Sequence, residues 1–223
     1  MFSLRKNSSF GFDISNGTLR FVELVKDGDS IKIGRYGTEE MPDEVVEDLE
    51  EIDSFLKIWK RSKKLWGVSI PRAQDILNLR EETISKAVIP YNDPQTYMIL
   101  DLNPAHASVV VTSMNVPLFI ASFTADGVSR ESLKDKISKH LLSWHLGKDK
   151  EDRQNPSVKK IIICGSGEDL HDLAEYLSVN LRTKAELADV WINLGEKKNI
   201  PEITFNQSIT FAGAVGAALS GLK

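Results

Sequence analysis

The stretch 97–123, YMILDLNPAHASVVVTSMNVPLFIASF, decides the fold. The apolar run Met98-Ile99-Leu100 ends on Asp101, a turn containing Pro104 follows, and 107–112 and 117–123 read as two further strands rich in β-branched and aromatic residues. A strand that stops on a carboxylate beside a tight turn sets that acid at the edge of a sheet, where it either caps a bend or holds a cation. The same grammar stands near the start, in 10–36, FGFDISNGTLRFVELVKDGDSIKIGRY. Phe10-Gly11-Phe12 runs into Asp13, a turn, and two strands, 21–26 and 31–36, separated by Asp27-Gly28-Asp29. Laying Asp13 on Asp101 is an offset of 88 (101 − 13), which sets Ser15 on Asn103 and Val22 on Val110. Little besides the aspartate is identical; what repeats is the order of strand, Asp, turn, hairpin and helix, the mark of an internal duplication.

Composition bounds the rest. A chain of 223 residues exceeds the usual single-domain size by little, which predicts two small lobes. A net charge of −4 gives no reason to expect a nucleic-acid partner, because phosphate binding needs a clustered basic surface. The longest nearly apolar stretch, 209–219, is too short and too rich in Gly and Ala to span a bilayer, and 1–10 lacks the apolar core of a signal peptide, so a cytosolic protein is expected. The single cysteine, Cys164, follows Ile161-Ile162-Ile163 in a strand pattern and reads as a packed thiol rather than a nucleophile.

Between the two hairpins, 43–61 carries Val45, Leu49, Ile52, Leu56 and Trp59 at helical spacing, with acids at its start and bases at its end that complement the helix dipole. Its carboxylates therefore read as a solvated face, not a metal site. Residues 65–70 read as a strand stopped by Pro71, 72–90 as a short strand pair or one extended ribbon, and 91–95 as a linker. After the second hairpin, 127–146 is a helix pattern, 147–156 a loop, 160–164 a strand, Gly165-Ser166-Gly167 a tight turn, and 168–181 a helix. A strand, glycine turn and helix in this order lets a backbone approach a nucleotide, since glycine has no Cβ, although most such turns only start helices. The chain then passes Trp191 and closes with a small-residue helix over 210–222. None of the four histidines has a partner at metal-ligand spacing.

These motifs carry a family resemblance. Gly11-Phe-Asp-Ile-Ser-Asn-Gly-Thr-Leu-Arg-Phe-Val-Glu-Leu24 resembles the first phosphate motif of the actin-like ATPases, in the version found in PilM proteins of type IV pilus assembly and their cell-division relative FtsA. Asp101-Leu-Asn-Pro-Ala-His-Ala-Ser108 resembles the second phosphate motif, and 163–170 with 173–177 and 191–193 resembles the adenosine motif. Val68-Ser-Ile-Pro71 and 212–218 are similar to PilM as well. Ser15 stands where the family has a glycine, and Asn103, followed by Pro104, where the second motif has one.

The resemblance implies an α/β, actin-like (ribonuclease H-like) duplicated two-lobe fold with reduced inserted subdomains. The first lobe would span 1–92, with a remnant of the insertion at 72–90; the second would span 93–204; and 205–223 would be a helix at the lobe interface. No counterpart is evident for the helices that normally join the lobes. The resemblance further implies an ATP site built from Asp13, Ser15, Asn16, Gly17, Thr18 and Arg20 in the first lobe and Asp101, Asn103, Gly165, Ser166 and Gly167 in the second. Mg²⁺ would be held through water by Asp13 and Asp101. The departures at Ser15, Asn103 and Pro104 point to weak or absent nucleotide binding and turnover, with no catalytic residue to carry over. The implied role is a cytoplasmic scaffold, peripheral at the inner face of the membrane, for a pilus or secretion apparatus. Its partner would be the cytoplasmic tail of a PilN-like inner-membrane protein, and a homo-oligomer is also compatible. The tail is expected to dock near 67–82, with 68–70 and 76–79 as apolar strand surface. The alternative is a working ATPase that couples nucleotide state to assembly.

Overall fold

The computed structural model describes residues 7–46, 48–65, 67–147, 154–167, 169–194 and 200–222. Glu47, Trp66, Glu168 and most of the loop expected at 147–156 lie outside them. The chain divides into two compact units, one of residues 1–88 with 190–223 and one of residues 89–189.

The first unit opens with an antiparallel meander of β1 (Ser8–Ser15), β2 (Thr18–Asp27) and β3 (Ser30–Glu40), in that spatial order. The helix expected over 43–61 is broken. A short α1 (Asp43–Val46) precedes α2 (Leu49–Ser62), because the Asp48 carboxylate accepts the amides of Glu50 at 2.7 Å and Glu51 at 3.4 Å and so caps a new helix. Ile52, Leu56 and Trp59 of α2 join Phe12, Ile14 and Leu19 in the core of this unit, and the indole of Trp59 meets the rings of Phe12 and Phe21 edge-on.

Two expectations fail in the next segment. Residues 67–70 form no strand; the amide of Val68 turns back to the carbonyl of Leu65 at 3.2 Å. The ribbon expected over 72–90 is a helix, α3 (Ala73–Val88), whose buried stripe runs through Ala73, Ile76, Arg80, Thr83/Ile84 and Ala87/Val88 at three- to four-residue steps, with Ser85 buried beside it. The stripe is masked in the sequence because it includes an arginine and a threonine, while Leu77 and Leu79 face solvent. The apolar strand surface expected at 76–79 therefore does not exist, and a helix stands before the second phosphate motif where none was expected.

The second unit repeats the meander as β4 (Thr96–Leu102), β5 (His106–Ser113) and β6 (Val116–Thr124) and extends it through α4 (Arg130–Leu146), β7 (Lys160–Gly165), α5 (Leu170–Leu181) and β8 (Ala185–Leu187). The sheet order is β6-β5-β4-β7-β8, with β4, β7 and β8 parallel. Flanked on both edges, β4 is buried at every residue, as a central strand of near-continuous apolar sequence should be. The duplication is strict in its pairing. Ser8 lies opposite Val25 and Asp13 opposite Arg20; adding 88 to each gives Thr96 opposite Ser113 and Asp101 opposite Ser108, which are the observed pairs.

The chain then returns to the first unit through α6 (Phe205–Ser208), a 3₁₀ turn (Ile209–Phe211) and α7 (Ala212–Gly221), which packs on β1 and α3. Its small residues allow a close approach. A Cβ added at Gly11 would collide with the carbonyl of Ala214, and one at Gly216 with the carbonyl of Thr83. This helix, set apart in the sequence reading, shares a core with β1.

Candidate functional site

The first hairpin turn is the dipeptide Asn16-Gly17, both residues at positive φ (50° and 66°), the two-residue turn that matches strand twist. Strand β1 runs past Asp13 to Ser15, so the carboxylate is inside the ladder rather than at its end. There it forms a buried ion pair with Arg80 of α3, the two side chains being 2% and 9% exposed. The hydroxyl of Ser15 approaches Asp13 Oδ2 at 3.5 Å and accepts from Arg20 Nη1 at 2.9 Å. Arg20 also donates through Nη1 to the carbonyl of Ser15 at 3.4 Å and through Nε to Thr210 Oγ1 at 3.0 Å. Thr18 turns its hydroxyl onto the carbonyl of Asn16 at 3.3 Å, and the carbonyl of Gly17 accepts the amide of Met41 at 2.8 Å. Gly213 of α7 closes the arrangement, since a Cβ there would sit 2.6 Å from Asp13 Oδ1 and 3.0 Å from Arg80 Nη1. The six candidates of this hairpin are thus brought together, with Arg80, Thr210 and Gly213 added to them. The signal for Arg80 was its place on the buried stripe of a helix; Thr210 and Gly213 left none.

In the second hairpin Asp101 is again buried inside a ladder, now between Ser108 on β5 and Cys164 on β7, whose thiol lies 3.9 Å from its Oδ1. The turn is closed by Asn103. Its amide donates to the carbonyl of His106, and its side-chain oxygen accepts the amide of His106, both at 2.9 Å. The amide of Ser166 donates to the carbonyl of Leu102 at 2.7 Å. Gly165 adopts φ +96°, and a Cβ on it would lie 2.7 Å from Asp101 Oδ1 and collide with the carbonyl of Leu102. A Cβ on Gly167 would lie 2.9 Å from Leu170. Both glycines therefore serve the approach of β7 and α5 to their own neighbours. A pocket of about 230 Å³ opens beside this turn, lined in part by Leu102, Asn103, Pro104, Ser166, Gly167 and Leu170.

At the other end of β4, the Tyr97 hydroxyl donates to Asp93 Oδ2 at 2.7 Å. Burial, with the neighbouring Asp93 carboxylate adding to it, pushes the phenol up to about 12. The amide of Gln95 and the Tyr97 hydroxyl hold Asp93 below the usual carboxylate range. Among the described residues no group of three His, Cys, Asp or Glu side chains stands ready for a metal ion, and no described helix is long and apolar enough to cross a membrane.

No protein-family model matches the sequence, and no curated protein matches it. Solved structures do resemble it over nearly its whole length. The PilM-PilN type IV pilus biogenesis complex contains a chain that superposes with a TM-score of 0.59 at 12% identity, covering 96% of this chain and 98% of that one. The ethanolamine utilization protein EutJ from Carboxydothermus hydrogenoformans gives 0.56 at 11% identity, covering 98% and 91%. The activator of the 2-hydroxyisocaproyl-CoA dehydratase from Clostridium difficile, a structure with bound ADPNP, gives 0.52 at 13% identity, covering 96% and 93%. The chain has the actin-like fold, duplicated as the 88-residue offset required.

Proposed function

We propose that this protein is a PilM-like cytoplasmic scaffold that binds the tail of a PilN-like inner-membrane protein and turns over no nucleotide. The observation that carries this reading is the ion pair of Asp13 with Arg80. In a working site the carboxylate at the end of the first phosphate turn would face a hydrated Mg²⁺; here a guanidinium fixed in α3 neutralises it, behind Gly213. Two cations beside one buried carboxylate repel, and moving Arg80 out would leave its charge unpaired, so a divalent ion does not fit as the residues stand. Several other polar groups of the two turns are bonded within the protein too. Ser15 and Arg20 bond each other, and in the second turn Asn103 takes the amide of His106 and Pro104 has none to offer. A phosphate cradle needs such amides pointing outward. The partner is supported by the likeness to the chain of the PilM-PilN complex, which holds from end to end of both.

Two measurements test the reading. Calorimetric titration with Mg·ATP and a phosphate-release assay should show neither tight binding nor turnover. A pulldown with the cytoplasmic tail of the membrane protein encoded beside this one should retain the chain. Sub-micromolar Mg·ATP affinity, with hydrolysis that disappears in Asp101→Ala, would restore the coupled ATPase instead.

A further inference from the structure

The end of α2 and the residues that follow it carry the densest run of basic residues in the chain. Residues 57–64, KIWKRSKK, hold five of the 28 lysines and arginines and none of the 32 acids, so the rest of the chain stands at −9 (−4 − 5). The helix dipole accounts for cations in a last turn, where Lys60 and Arg61 stand. It accounts neither for Lys57, ahead of that turn, nor for Lys64, which lies past the cap at φ 53°. Lys63 is neutralised by Glu39 at 2.8 Å, whereas no ion pair among the described residues joins Lys57, Lys60, Arg61 or Lys64. The nearest acid along the helix, Asp53, is spent on the amide of Ala73 at 2.7 Å. Lys57, Lys60 and Arg61 stand at i, i+3 and i+4 and so share one side of α2, away from the buried Ile52, Leu56 and Trp59. Apolar surface lies among these cations. Ile58 is 68% exposed beside Lys57 and three residues before Arg61, and Lys57 and Lys60 rim a hollow of about 370 Å³ floored by Leu56, Ile70 and Pro71.

We infer that this end of α2 rests directly on a membrane surface of anionic phospholipid. Lys57, Lys60, Arg61 and Lys64 meet the headgroup phosphates, and Ile58 dips into the interface between them. A uniformly charged, convex helix end fits a fluid surface that adapts to it. The apolar side chain and the apolar-floored hollow match an amphiphile, since a polyanion without an apolar layer would leave both unused. Four cations give a reversible, salt-sensitive contact rather than insertion. The inference goes beyond the scaffold reading and does not depend on it, because the surface touched is lipid and not the tail of a protein.

Vesicle flotation of the whole chain tests it, with vesicles of phosphatidylcholine alone or with a third of phosphatidylglycerol. The chain should float with the mixed vesicles only and be released as salt rises from about 0.1 M to about 1 M. Lys57→Gln with Arg61→Gln should lower partitioning about 25-fold, each cation near an anionic surface being worth about fivefold, while Lys57→Arg with Arg61→Lys should retain it. Ile58→Ser, at an exposed position, should weaken binding several-fold, and Lys139→Gln, an exposed lysine of α4, should leave it unchanged. Thermal melts of each variant confirm an intact fold. Equal flotation with phosphatidylcholine alone overturns the proposal, as does binding indifferent to the double glutamine variant or to Ile58→Ser. So does a polyglutamate peptide or a short DNA duplex that binds as tightly as the mixed vesicles, which would make the patch a general anion site. The tail pulldown is run without lipid, so failure of either reading leaves the other standing.

Discussion

The two hairpins share a register to the residue and differ in what surrounds their aspartates. Asp13 faces two arginines, Arg20 across the ladder and Arg80 from α3; Asp101 at the same position faces Ser108 and Cys164. The sheets differ in the same direction. Strand β4 continues into β7 and β8, while β1 has only β2 beside it among the described residues and is covered on its face by α7 and α3. Duplication thus preserved backbone geometry, which is set by strand pairing and turn closure, and left side-chain chemistry at equivalent positions free to diverge. One copy became an internal ion pair. The other kept a carboxylate beside a pocket.

The sharpest way to break this contrast is at the ion pair. Arg80→Met should destabilise the protein by about 3 to 5 kcal/mol in urea unfolding, because it strands a buried carboxylate, and Asp13→Leu should do the same to the guanidinium. The double variant should recover most of the loss, the sign of a pair that is costly to break and replaceable as a whole. A double variant no more stable than its parents would mean that the contacts around Gly213, rather than charge, hold β1 to α3. Next in size are the glycines of the two turn regions. Gly165→Ala should cost about 2 to 4 kcal/mol, combining positive φ with a backbone collision, whereas Gly17→Ala, with only Val46 at 3.7 Å, should cost about 1 to 2 kcal/mol in the same assay. Equal losses would erase the distinction between a glycine needed for space and one needed for backbone freedom.

The smallest effect is the pH dependence that Tyr97 and Asp93 give the second copy. Tyr97 is raised to about 12, so its neutral form favours the folded state. That contribution is complete below pH 10, the ordinary range for a phenol, and is lost as pH rises from there to about 12. Asp93 is lowered, so its contribution is present above the ordinary carboxylate range and is lost as pH falls through it. Tyr97→Phe should flatten the alkaline limb of the stability profile and remove one late-titrating phenol from an ultraviolet titration. The equivalent position in the first copy is Ser9, which has nothing to titrate there.

Much of this architecture was legible from Asp13 and Asp101, because period-two strands and turn residues leave a strong local trace. The strands, α4 and α5 are where alternation and helical spacing put them. The failures fall where tertiary context overrode local pattern. Val68-Ser69-Ile70 has the composition of a strand but no neighbouring edge pairs with it among the described residues, and 73–88 hides its helical face behind Arg80 and Thr83. For the same reason the chemistry around the candidate residues is not legible in the sequence. Ser15, Arg20 and Asp13 do cluster, but their partners Arg80, Thr210 and Gly213 come from segments distant in the chain, and a salt bridge between distant segments leaves no spacing to count.

The placement of Gly213 over the Asp13–Arg80 pair also fixes an order of events during synthesis. Residues 89–189 form a continuous unit, complete once its last strand has left the ribosome, although it lies second in the chain. The first unit has β1 and α3 in hand by residue 88 but meets its covering helix only when 212–221 has been made, 124 residues later (212 − 88), or roughly ten seconds at ordinary translation rates. Through that interval a carboxylate and a guanidinium destined for burial stay in water, and the half begun first is the half finished last.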